Sequence, residues 1–431
     1  MPKKLKYFIK NYGCQMNKND SEIVCGLLEA KGAEQTSDIN SANIIIANTC
    51  SVRDTAERKA KGFINDLGKL KKRKNQIIIG VIGCMAERMG EDIFKKYNFV
   101  DFVLGPNKEA EIEKVISFFE DKSGNYQKIL CLGDSPHFKN SFVAKRQPSV
   151  NAWITIMEGC DNFCSYCIVP YLRGREKSRP IDEIIKEIDM LDKDIFKEIT
   201  LLGQNVNSYK YGLSNLFIEA AKIEGIKRIR FMTSHPKDIS DEIIHSVKTI
   251  DKVCEFFHLP MQSGDDEILK AMNRGYDSSY YKDLVKKIRD KIPSAAIGSD
   301  FIVGFPGETE KQFENTLKAI EEIEFDSANT FAYNTRPGTK AANLPNQLPR
   351  DLISRRLQQL IEVVEKVTMK KNSKLVGSVQ EVLVEDNGIG RTRTNKIVKF
   401  KDEAAKYKRG DIVFVKVESA KSWVLQGKLN D

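Results

Sequence analysis

Apolar and polar positions follow two alternating periods along the first 120 residues. Short runs rich in Ile, Val, Tyr and Phe (KYFIKNYG, NIIIANT, QIIIGVIG) are separated by longer stretches with apolar residues every three or four positions (SEIVCGLLEAKG, RDTAERKAKGFINDLGKL). The first pattern predicts strands and the second helices. Strands alternating with helices predict an α/β domain with a largely parallel sheet over residues 1–120. Residues 121–145 are polar and mixed, and read as a linker. Over 146–368 six further strand-like runs follow one another: AWITIMEG, EITLLGQN, RIRFMTSH, FFHLPMQSG, AIGSDFIVGFPG and SANTFAYN. Helical stretches separate them, and a repeated strand–helix unit predicts a partial (β/α)6 barrel. A helix carrying Leu352, Leu357, Leu360, Val364 and Val367 ends this region. Residues 369–431 hold short Gly-punctuated strand runs and predict a small C-terminal β-barrel.

Composition adds little against a soluble reading and something for a polyanionic partner. Hydrophobic residues make up 41% and charged residues 30% of the 431 positions, a normal balance for a globular chain. The longest apolar run, Ile77 to Ala86, is far short of a membrane span, and the basic start MPKKLKYFIK leads into no long apolar region. A cytoplasmic monomer with no membrane partner is expected. Net charge is +9, and the residues from Lys370 onward hold 14 Lys/Arg against 8 Asp/Glu, which accounts for +6 of it. That concentration favours nucleic acid.

The nine cysteines change the picture most. In a chain with no secretion signal, metal or catalytic roles outrank disulfides. Cys160, Cys164 and Cys167 form a C-x3-C-x2-C loop directly after a predicted strand. Thiolates suit iron–sulfur clusters or zinc. Three of them on one loop can hold three corners of a four-iron cluster, leaving the fourth iron open; structural zinc, which wants a fourth ligand nearby, is the alternative. Cys14, Cys50 and Cys84 each end a predicted strand of the first region. In a parallel sheet such ends converge on one edge, so these three could hold a second cluster, the alternative being ordinary buried Cys. Cys25, Cys131 and Cys254 read as packing residues.

The stretch CDNFCSYC, with Tyr166 before the last Cys, resembles the signature of radical S-adenosylmethionine (SAM) enzymes. With YGCQMN, NTCSVRDTAERKA, CIVPYLRGREKSRP, LLGQNVNSY, RFMTSHP, HLPMQSGDDEILKAMNRGY and DFIVGFPGETEKQFENT, essentially the whole chain resembles the methylthiotransferases of that superfamily, and the C-terminal part resembles their RNA-binding TRAM domain. Gln15-Met16 and Gly203-Gln204-Asn205 resemble the branch acting on isopentenyl (dimethylallyl) adenosine at position 37 of tRNA.

The resemblance implies two [4Fe-4S] clusters, on Cys14, Cys50 and Cys84 and on Cys160, Cys164 and Cys167. It implies SAM bound at the second, cleaved to a radical that attacks C2 of the adenine, with sulfur delivered from the first. It implies as partners the tRNA anticodon loop, an electron donor of flavodoxin or ferredoxin type, and a sulfur source. Tyr166, Gln204, Ser234, Gln262, Ser263 and Asp300, mostly at barrel strand ends, are candidate SAM contacts. Arg391, Arg393, Lys396 and Lys399 are candidate RNA contacts, and Arg173, Arg175 and Arg274 could meet a carboxylate or phosphate. The alternatives are a methylthiotransferase acting on threonylcarbamoyl-adenosine or on a ribosomal protein, and a non-catalytic iron–sulfur RNA-binding protein.

Overall fold

The computed structural model describes residues 4–74, 76–120, 127–135, 138, 144–401 and 406–430. They divide into two compact units. The first holds residues 1–147, 158–161 and 168–179; the second holds 148–157, 162–167 and 180–431. The expected barrel and C-terminal β-domain thus fall in one unit. Two pieces flanking the Cys164–Cys167 segment, 158–161 and 168–179, go with the other.

In the first unit the strands Glu34–Gln35, Lys6–Asn11, Ile44–Thr49, Ile78–Gly83, Phe102–Leu104 and Ile129–Cys131 form, in that order, a sheet in which every pairing is parallel. Ile44–Thr49 and Ile78–Gly83 are buried at every position. A strand covered on both faces reads as an unbroken apolar run. Ile44 and Ile46 face one core layer with Val24 and Leu28 of the helix Gln15–Ala30; Ile45 and Ala47 face the other with Ile64 and Leu67 of the helix Asp54–Arg73. The expected linker 121–145 lies partly outside the described residues, and its Ile129–Cys131 segment adds a sixth strand to the sheet.

The second unit contains two parallel three-stranded sheets. One is Asn151–Thr155, Glu198–Leu202 and Arg228–Phe231; the other is Phe256–His258, Ala296–Val303 and Ser327–Ala332. An isolated parallel bridge between Ile229 and Val253, just before Phe256–His258, links the two sheets, in keeping with the expected (β/α)6 arrangement. Its apolar interior includes Ile154, Leu201, Ile229, Phe257, Ile297 and Phe301. After the helix Arg350–Ser373, five strands close a small barrel in the order Val379–Asp386, Ile389–Thr392, Ile397–Lys401, Val424–Leu429, Ile412–Ala420.

This barrel docks on the N-terminal ends of the parallel strands. Arg228 Nη1 donates to the Arg391 carbonyl at 2.7 Å, and its Nη2 to Glu381 Oε1 at 2.6 Å. Arg230 donates to the carbonyls of Arg393 and Thr392 at 2.8 and 2.7 Å, while its Nε holds Glu198 at 2.7 Å. Both arginines are almost fully buried. Planar guanidinium forks suit such paired acceptors.

Candidate functional site

Cys14, Cys50 and Cys84 follow the C-terminal ends of three adjacent strands of the first unit, Lys6–Asn11, Ile44–Thr49 and Ile78–Gly83. The strand order reverses between the first two, the point where open parallel sheets form a ligand crevice. Cys14 caps the helix Gln15–Ala30, and Cys84 opens the helix Cys84–Met89. Gly83 precedes it with φ +90°, and a Cβ there would sit 2.6 Å from both Asn48 Oδ1 and the Thr49 carbonyl. Only glycine serves at that approach.

A buried amide pair ties these ends together. Asn17 Nδ2 donates to Asn48 Oδ1 at 3.0 Å and to the Thr49 carbonyl at 3.1 Å. Asn48 Nδ2 donates back to the Asn17 carbonyl at 2.7 Å and to Ser21 Oγ at 2.8 Å. Asn17 Oδ1 lies 3.3 Å from both the backbone nitrogen and the Sγ of Cys14. Burial pushes the Cys84 thiol up to about 12, against the pull of Arg173. Burial also raises the Cys50 thiol, and Cys14 adds to that rise.

These thiols are therefore close enough to repel one another as anions, and a bound metal group would reverse that protonation. Among the described residues no three His, Cys, Asp or Glu side chains are grouped as one metal ion needs. Tetrahedral zinc, with bonds of about 2.3 Å, requires sulfurs roughly 3.8 Å apart, and a four-iron cluster spreads its thiolates more widely. The donor set suits the cluster. None of the nine cysteines forms a disulfide. Cys25 and Cys254 are buried and Cys131 half-buried.

Cys160 belongs to the first unit, where its backbone nitrogen donates to the Gly174 carbonyl at 3.2 Å. Cys164 and Cys167 belong to the second, in a turn closed by Cys167 N to the Cys164 carbonyl at 2.9 Å. The turn is pinned by the segment after the helix Asp266–Ala271. Ser165 N donates to the Met272 carbonyl and Ser165 Oγ to Ala271, while Asn273 Nδ2 bonds the carbonyls of Asn162 and Phe163. Arg274, 4% exposed, donates from Nη1 to Cys164 Sγ at 3.3 Å and from Nη2 to the Pro260 carbonyl at 2.7 Å. Sequence reasoning gave Arg274 only a generic anion role; its place two residues past Met272 in KAMNRGY was the available signal.

The candidate SAM contacts divide. Ser234 Oγ and Gln262 Oε1 are buried with no hydrogen-bond partner among the described residues, as is Nδ1 of neighbouring His258. Gln262 holds φ at +75°, a strained state typical of functional sites. These orphaned atoms lie at or just past the C-terminal ends of consecutive strands, where a polar ligand would satisfy them. Asp300 accepts from Asn329 at 2.9 Å and lies 3.2 Å from His258 Nε2. Ser263 is turned instead toward Thr316 and the Asp265 backbone nitrogen. Tyr166 packs on the apolar cluster of Ile268, Met272 and Phe305, and receives the Arg274 guanidinium at 3.4 Å. Gln204 is half-buried after its strand.

Three of the four candidate RNA contacts are engaged within the second unit. Arg393 makes a forked pair with Glu255 and donates to the Val253 carbonyl at 2.8 Å. Lys396 reaches Asn372 at 2.8 Å and Asp326 at 3.4 Å. Arg391 holds Glu385 and Asn395. Lys399 is exposed. Arg393 and Lys396 thus serve docking while Arg391 pairs inside the barrel, which net charge could not reveal. A second row is visible only from strand register. Lys399 and Lys401 pair with Gln426 and Lys428, and Lys428 with Lys416. All are exposed, as is Phe414 beside Lys416.

Comparison with known proteins follows this layout. Residues 154–320 match the radical SAM superfamily, residues 6–105 the uncharacterized protein family UPF0004, and residues 373–429 the TRAM domain. A tRNA-2-methylthio-N(6)-dimethylallyladenosine synthase of Dictyoglomus thermophilum is 46% identical over 98% of this chain and 98% of its own length. Another protein of that name, from Thermoanaerobacter pseudethanolicus, is 43% identical over 99% of this chain and 93% of its own. Among solved structures, a radical SAM methyltransferase from Kitasatospora setae, holding cobalamin and a [4Fe-4S] cluster, superposes with a TM-score of 0.58 at 14% identity over 79% of this chain and 74% of its own. That likeness is one of fold. Among the described residues no helix is long and apolar enough to cross a membrane.

Proposed function

This chain belongs to the tRNA-2-methylthio-N(6)-dimethylallyladenosine synthases, radical SAM methylthiotransferases, and we propose that its two three-cysteine sets divide that reaction between them. The activity inserts a methylthio group at C2 of N6-isopentenyladenosine in tRNA. An unactivated aromatic C–H yields to no side-chain acid or base, so SAM and two [4Fe-4S] clusters supply the radical and sulfur chemistry. Cys160, Cys164 and Cys167 would hold the cluster that takes SAM, and Cys14, Cys50 and Cys84 the cluster that stages sulfur.

The chain's own residues do the rest. Arg274 donates a charge-assisted hydrogen bond to the Cys164 sulfur. Ser234 and Gln262 offer buried polar atoms to SAM. The Asn17–Asn48 pair fixes the ends that carry Cys14 and Cys50. The adenine must leave its stack to reach such a site, and anticodon-loop bases do so at low cost.

For the RNA we assign the exposed row Lys399, Lys401, Lys428 and Lys416 with Phe414. Cations track the phosphates and an aromatic can stack a base. The observation that carries the reading is 46% identity over nearly the full chain with all six cluster cysteines present. The test is mass spectrometry of tRNA nucleosides from a strain lacking the gene. Loss of 2-methylthio-N6-isopentenyladenosine, with its unmethylthiolated precursor accumulating, is expected; an unchanged level rules the substrate out.

A further inference from the structure

In the first unit the short helix Val169–Arg173 ends in an arginine whose side chain is only 3% exposed. Arg173 Nη2 donates to Asp20 Oδ2 at 2.7 Å, and that carboxylate is equally buried. Nη1 stands 3.8 Å from Glu158 Oε1, beyond hydrogen-bond range. Glu158 is already served by the Asn107 amide, which in its satisfied orientation donates to it at 2.6 Å. Arg173 Nη1 is buried with no hydrogen-bond partner among the described residues. The same guanidinium is a side-chain hydrogen-bond partner of the Cys84 thiol, so the N–H left without an oxygen acceptor belongs to a group beside the three-cysteine site, where a further acceptor would satisfy it.

The position gives that acceptor a chemistry. The charge of Arg173 acts on Cys84, Cys50 and Cys14, the full three-cysteine set. Cys84 opens the helix Cys84–Met89, which packs against the helix bearing Arg173. Arg173 therefore sets a cation beside the charge that three thiolates would bring into a buried site.

We propose that Arg173 is a positioning residue for the sulfur cargo: Nη1 donates a hydrogen bond to a monoanionic sulfur ligand, hydrosulfide or methanethiolate, held where Cys14, Cys50 and Cys84 leave an iron without a protein ligand. The proposal rests on the cluster reading above. It explains why this arginine is buried with one arm anchored and the other open. Asp20 fixes the fork, and the open arm selects an anion over a neutral thiol or water.

The test uses the full chain with Cys160, Cys164 and Cys167 all replaced by Ala, reconstituted anaerobically so that only the other site can hold iron. Iron per chain is measured first, then ligand affinity by electron paramagnetic resonance and absorbance titration with sodium sulfide and, separately, sodium methanethiolate. The parent should hold about four iron per chain. Adding Arg173→Met with Asp20→Asn removes both buried charges together. This variant should keep its iron yet bind either sulfur anion about tenfold more weakly.

Unchanged affinity at full iron loading overturns the role of Arg173. Weakening with one anion only identifies which form of the cargo the arm holds. Arg173→Lys keeps the charge and the pair with Asp20, and serves if the double variant fails to load. Its expected loss is about threefold, and unchanged binding in it also overturns the proposal. A parent without iron removes the three-cysteine reading itself, and the proposal with it.

Discussion

At the residue scale, each cysteine set depends on neighbours that ligate nothing. Asn48 supplies both an acceptor to Asn17 and donors to the Asn17 carbonyl and Ser21. Asn48→Ala strands those buried partners at about 1–3 kcal/mol each. The expected result is a lower thermal midpoint together with reduced iron at the first-unit site; retention of both would show that the pair is incidental.

His235 gives a pH prediction. Burial, Arg274 and Lys237 depress its pKa to about 2. The unfolded chain takes up a proton below the ordinary value of about 6.5, and the folded chain refuses it. Its contribution to stability is therefore full above that value and shrinks as pH falls toward 2. Denaturant midpoints measured from pH 7.5 to 5 should fall, and His235→Asn should flatten that fall. An equally steep profile in the variant would assign the acid sensitivity to other groups.

At the element scale, the docking of the C-terminal barrel rests on two arginines of the strand Arg228–Phe231. Arg230→Met leaves buried Glu198 without its partner and frees the carbonyls of Thr392 and Arg393. Loss of one partner of a buried pair costs about 3–5 kcal/mol. Hydrogen exchange should quicken in residues 389–401 while the first-unit sheet stays protected; uniform protection would mean that the clamp is dispensable.

This is also where sequence and structure part. The strand–helix alternation made both parallel architectures legible, because apolar runs such as IIIANT and IIIGVIG suit strands covered on both faces. The three strand-end cysteines were legible for the same reason. The docking was not, because Arg228 and Arg230 look like ordinary alternating charges on a half-exposed strand. The carboxylate partners of Arg391 and Arg393 and the Asn372 partner of Lys396 were not legible either: a lysine or arginine in a basic tail carries no mark of whether its partner is a phosphate or a group of the same chain. Arg173 and Arg274 were legible only as partners for a carboxylate or phosphate, and Arg173 does meet the Asp20 carboxylate; their places beside cysteines were not legible. Their burial arises from long-range packing that no local pattern encodes.

At the scale of the whole molecule, the proposed reading pairs cofactor sites with an exposed basic row for RNA. Lys401→Glu with Lys416→Glu should weaken tRNA binding without altering iron content. The slope of log affinity against log salt should shrink by roughly 0.7–0.9 for each phosphate that the variant no longer neutralises. An unchanged slope would move the RNA surface elsewhere.

The central claim is the division of labour between the two cysteine sets. The most direct measurement is a single anaerobic reaction of purified Cys50→Ala with SAM, reductant and unmethylthiolated tRNA, scored by mass spectrometry for 5′-deoxyadenosine and for the 2-methylthio nucleoside. The account predicts that 5′-deoxyadenosine forms and the methylthio nucleoside does not, whereas Cys160→Ala yields neither. Methylthiolated nucleoside from Cys50→Ala would contradict it.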